Sequence, residues 1–147
     1  MANQAKYTVL IPKKDNLGNP LGDIATAAHH WLRYGPAPEH QGSFIHRNVQ
    51  GNWRDDAPED FDHLVTVAED TPEFDSHIKQ LAHHIADSAN QWGVFVMKEG
   101  KGGVQSWVID NRNYRDGEPS ELAQPQGWGT PAEQHFKSIG DLANPPQ

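Results

Sequence analysis

The stretch TPEFDSHIKQLAHHIADSANQWG, residues 71–93, with VFVM at 94–97 and VQSWVI at 104–109 behind it, decides the fold. Thr71 offers a helix cap, Pro72 suits the first helical position, and Glu73 puts an acid where the helix dipole is positive. Phe74, Ile78, Leu81, Ile85, Ala89 and Trp92 then recur on one stripe, which predicts an amphipathic helix stopped by Gly93. The two apolar runs that follow are separated by Lys98-Glu99-Gly100-Lys101-Gly102-Gly103 and read as a hairpin.

Working outward toward the N-terminus, His63-Leu64-Val65-Thr66-Val67-Ala68 is a strand, and the segment Gly42 to Trp53 alternates weakly enough to predict a strand with a turn or bulge. Tyr7-Thr8-Val9-Leu10-Ile11-Pro12 is a β-branched run closed by proline. Asp23 caps a first helix in which Ile24, Ala27, Ala28, Trp31 and Leu32 hold helical spacing until Gly35-Pro36. Beyond Asp110 the chain is rich in Pro, Gly and Gln, with one short helix predicted from the capping box Thr130-Pro131-Ala132-Glu133.

These elements predict an α+β fold: a two-layer sandwich whose mostly antiparallel sheet carries two helices on one face. In element order it resembles a ferredoxin-like β-α-β-β-α-β arrangement with one added strand. Residues 1–111 are expected to form a single domain, and residues 112–147 a tail that packs on that domain or on a partner. A sheet covered on one face should alternate apolar and polar residues, yet Val94 to Met97 and Trp107 to Ile109 are apolar on both sides. Phe95, Met97, Trp107 and Ile109 are therefore expected on a second apolar face, covered by the tail, by another copy of the chain, or by a ligand.

Composition narrows the function. Twenty acids against twelve bases give a formal charge of -8, the wrong sign for a phosphate-backbone binder. The absence of cysteine removes disulfide scaffolds, thiolate metal sites and thiol nucleophiles, and suits a cytoplasmic setting. The apolar run after the N-terminus is too short for a signal peptide or a membrane span. Neither nucleic acid nor membrane is expected as a partner.

The nine histidines call for a metal test, since His77, His83, His84 and Asp87 share one helix and His29-His30 lie on the other. Adjacent histidines diverge by about 100° on a helix and no zincin spacing occurs, so no metal and no cofactor is expected. His46, His63, Ser43, Thr66 and Ser106 lack the setting of an activated nucleophile. The turn from Glu99 to Gly103 joins two strands and lacks the helix terminus on which phosphate loops depend. Nine acids between Asp55 and Asp75, with no Lys or Arg among them, raise the idea of a nucleic-acid mimic.

The aromatic residues are more informative. Trp31 and Trp92 belong to helix stripes, whereas Trp107 lies on a strand with Gln105, Lys98 and Arg112 near it, a set able to stack on a planar ligand and fix it with polar groups. His63 joins this candidate ligand-binding set. The expectation is a homo-oligomeric, non-catalytic accessory or regulatory protein that binds a small ligand or a protein partner through its exposed sheet face. Two alternatives stand beside it: a cofactor-independent enzyme with His63 or His46 as acid or base, and an acidic inhibitor.

Overall fold

In a computed structural model the chain is described over residues 3–34, 42–51 and 59–123. The strands β1 (Gln4–Pro12), β2 (Gly42–Gly51), β3 (Glu59–Glu69), β4 (Gly93–Gly100) and β5 (Gly103–Asp110) form one sheet in the order β2-β3-β1-β4-β5, with every neighbouring pair antiparallel. Helices α1 (Ile24–Tyr34) and α2 (Pro72–Ser88) connect β1 to β2 and β3 to β4. The result is a small α+β fold with a five-stranded antiparallel sheet and two helices.

Local chemistry sets the helix boundaries. Asp23 Oδ1 accepts from Thr26 N at 3.1 Å, and Thr71 Oγ1 accepts from Phe74 N at 3.1 Å, so both predicted caps are made. α2 ends earlier than its apolar stripe suggests. Asn90 takes a left-handed φ of 47°, and its amide carries three hydrogen bonds: to Arg115 O and Glu118 O from Nδ2, and from Arg115 N to Oδ1, each 2.9 Å. Trp92 consequently leaves the helix and is 56% exposed, which corrects its expected place in the core. Phe74, Ile78, Leu81 and Ile85 keep theirs.

One core lies between sheet and helices. Ala5, Tyr7, Val9 and Ile11 of β1, Leu64 and Ala68 of β3 and Val94 and Val96 of β4 meet Ile24, Ala28, Trp31 and Leu32 of α1 and the stripe of α2. The period of two in these strand positions identifies the helix side, and their intervening residues face away. On β5 the helix side holds Trp107 and Ile109, which pack against the core. The expected second apolar face is therefore corrected: it carries Phe95 and Met97, but its β5 residues are Val104 and Val108. The pairings Phe95 with Val108 and Val96 with Trp107 show why, since neighbours across a ladder share a face.

The acidic run is also redistributed. Glu59, Asp60, Asp62 and Glu69 lie on β3 and Glu73 and Asp75 on α2; Asp55 and Asp56 fall outside the described residues. Asp62 is buried and bonded to Arg47 and Asn48, so the described acids do not form one row of free carboxylates. The segment after β5 is tied down as far as Ala123, with Ser120 and Leu122 buried and Ser120 N donating to Asp15 Oδ2 at 3.1 Å. The short helix expected after Thr130 lies outside the described residues, as do Trp128 and Phe136. No described helix is long and apolar enough to cross a membrane.

Candidate functional site

Two groups of titratable side chains stand on opposite faces of the sheet. On the helix side, Lys98 of β4 is 8% exposed, and its ammonium donates to Asp70 Oδ1 at 2.6 Å and to Asp75 Oδ1 and Oδ2 at 2.9 and 3.1 Å. Tyr7, fully buried on β1, donates its hydroxyl to the same Asp75 Oδ1 at 2.5 Å. Burial opposes the charge on Lys98, but its bonds to Asp70 and Asp75 prevail and hold its pKa above the usual lysine value. Burial, followed by the bond to Asp75, raises the Tyr7 phenol well above its ordinary range. The four groups satisfy one another, which suits a clamp that ties the start of α2 to β1 and β4.

Of the residues singled out in the sequence, Lys98, Gln105 and Trp107 do come together on this side. Gln105 pairs with Lys98 across the hairpin, and Lys79 Nζ of α2 lies 4.3 Å from the centroid of the Trp107 ring. The Trp107 face nearest α2 is thus covered by a cation. Arg112 is exposed in the turn at the far end of β5, apart from that trio. His63 lies on the other side of the sheet.

There His63 completes a different row. Leu10 of β1, His63 of β3 and His46 of β2 are consecutive cross-strand partners on the face away from α1 and α2, helix-free among the described residues, and the two imidazole centroids are 6.5 Å apart, edge to face. Along the same face the next row holds Phe44, Val65, Thr8 and Met97. Val65 and Thr8 are buried among their neighbours, whereas Phe44 is 55% exposed at the edge. Burial, and then the neighbouring His46, lower the pKa of His63 below the ordinary histidine value, against a smaller opposite pull from Asp62. An imidazole whose pKa is lowered in this way favours the neutral form, which is able to accept a proton.

The sequence reading did not find Tyr7, Asp70 and Asp75 as a unit with Lys98. Tyr7 reads as a core position of an apolar strand, and its partner Asp75 stands 68 residues away. A second missed cluster joins Arg47 to both oxygens of the α1 cap Asp23 at 3.2 Å and to Asp62 Oδ2 at 3.3 Å. It lines a cleft of about 240 Å³ with Pro12, Lys13 and Gly22, but its charges are already paired. No group of three or more His, Asp or Glu able to hold a metal ion occurs among the described residues.

No known family profile matches this chain, and no curated protein matches it in sequence. Two solved structures are similar. One is a phage SAM lyase in complex with S-methyl-5'-thioadenosine, at 17% identity, covering 78% of this chain and 93% of that one, with a TM-score of 0.46. The other is a phage SAM lyase in the apo state, at 16% identity with the same coverages and TM-score. Both carry the name of a lyase, which stands against the expectation of a non-catalytic accessory protein, and that expectation is not carried further.

Proposed function

We propose that the chain is an enzyme acting on a small, partly apolar substrate at the helix-free face of the sheet, with His63 as proton acceptor and His46 as its partner toward solvent. The observation that carries this reading is the row Leu10–His63–His46, in which one imidazole has its pKa lowered by its surroundings and the other is exposed beside it. A base whose pKa lies near or below the working pH is free to take a proton when substrate arrives, and an exposed second imidazole can pass that proton on. The flanking Phe44, Val65 and Met97 supply apolar contact for a ring or chain, while Thr8 offers a hydroxyl. The order β2-β3-β1-β4, with β5 added beside β4, supports reading the fold as ferredoxin-like, with both described helices on the face opposite this row.

The test is turnover of a panel of small metabolites headed by SAM (S-adenosylmethionine), the compound in the name of the similar lyase, followed by chromatography. Where a compound is consumed, His63→Gln should lower the rate by about 10²- to 10⁴-fold, the usual contribution of a positioned acid or base, with an unchanged circular dichroism spectrum. An unchanged rate in that variant would remove His63 from the chemistry.

A further inference from the structure

The sheet has two edges, and they are built differently. β2 is guarded: its register with β3 shifts between His46 and Val49, Asn48 takes a φ of 57° there, and Arg47 is bound to Asp23 and Asp62. β5 has no such device. It follows β4 in unbroken register from Gly103 to Asp110, contains no proline, and carries no charged side chain from Gly103 to Ile109. Among the described residues no strand pairs with its outer side. Val104 and Val108 are 68% and 40% exposed on it. An unbroken, neutral edge of this kind is a template for another strand.

We propose that β5 pairs antiparallel with β5 of a second copy about a two-fold axis at Ser106, so that the two five-stranded sheets become continuous. The sequence around Ser106 fits its own reversal. In this register Val104 of one copy faces Val108 of the other on the helix-free side, Gln105 faces Trp107 on the helix side, and Gly103 faces Ile109. Charges lie only beyond these pairs, where Asp110 of each copy faces the uncharged Gly102 of the other. Two chains that each carry -8 repel over most of their surfaces, and β5 is an edge where contact brings no acids together along the paired strands.

The remaining chain is the competing occupant, but the described part leads away from β5. It ends at Ala123, which is bridged to Leu21 just before α1, and α1 packs on β1, β2 and β3.

Sedimentation velocity of the full chain at micromolar concentration tests the pairing. The wild type should sediment at twice its 16.4 kDa, and Val104→Lys with Val108→Lys should return it to the single-chain mass with its circular dichroism and melting temperature kept. Because the protein has no cysteine, Ser106→Cys gives an independent reading: with oxidised glutathione it should form a covalent dimer, while Gln50→Cys on the guarded β2 edge should not. A single-chain mass for the wild type, as expected if residues 124–147 cover β5, would overturn the proposal. So would a dimer that survives both lysines, or equal cross-linking from the two cysteine variants.

Discussion

His63 and Lys98 are both ionisable groups drawn out of water, and their surroundings push them in opposite ways. His63 has only Asp62 to favour its charge, and burial and His46 outweigh it, so its folded pKa lies below the ordinary 6.5. The unfolded chain then takes up this proton first, and stability should decline as pH falls through 6.5 toward the folded value. An NMR titration of the His63 ring checks this, and His46→Asn should move its midpoint upward by removing the like charge. Lys98 keeps its charge because two carboxylates pay for the desolvation. Its contribution is fully present below pH 10.5 and is lost as pH rises through the raised folded value. Lys98→Met should cost about 3 kcal/mol in urea unfolding, near the low end for breaking a buried pair because Asp70 and Asp75 keep some contact with solvent.

At the scale of elements, α2 shows how a correct periodicity can carry a wrong end. Leu81 is fully buried against the sheet, and Leu81→Ala should cost about 2–5 kcal/mol in denaturant unfolding. Trp92 continues the same arithmetic but lies past the break at Asn90, and Trp92→Ala should cost about 1 kcal/mol or less. Asn90 holds that break from both sides: its backbone ends the helix, and its amide fastens the segment after β5 through Arg115 and Glu118. Asn90→Gly keeps the backbone easy and deletes the three side-chain bonds. Limited trypsin digestion should then cut at Arg115 faster than in the wild type, whereas equal rates would show that other contacts hold the segment.

Across the whole molecule, the loop after β1 and the segment after β5 meet at Asp15. Its carboxylate accepts from Leu17 N, Asn19 N, Asn19 Nδ2 and Ser120 N. Burial pushes this acid up, but these four bonds outweigh it and leave its pKa below 3.8; Asp23, bonded to Arg47 and Thr26, is lowered too. A depressed carboxylate stabilises the fold above its unfolded pKa and loses that contribution as pH falls through the folded one. Acid unfolding followed by circular dichroism should therefore steepen below about pH 4, and Asp15→Asn should flatten that limb.

By itself the sequence determined the number and kind of the described elements, both of their helix caps, and most of the helix stripe, because capping and periodicity act within a few residues. It also announced an apolar hairpin with more than one face to cover. Which of its side chains share a face was decided only by the register of β5 on β4, since a shift of one residue turns every side chain over. That is why Trp107 and Ile109 belong to the core and Val104 and Val108 to the face away from α1 and α2. His63 was legible as a candidate base, but its neighbour Leu10 and the sheet face that lowers its pKa are products of strand order. Tyr7 with Asp75, and Arg47 with Asp23, are pairs made by tertiary contact alone, because groups 68 and 24 residues apart meet only once the chain has folded.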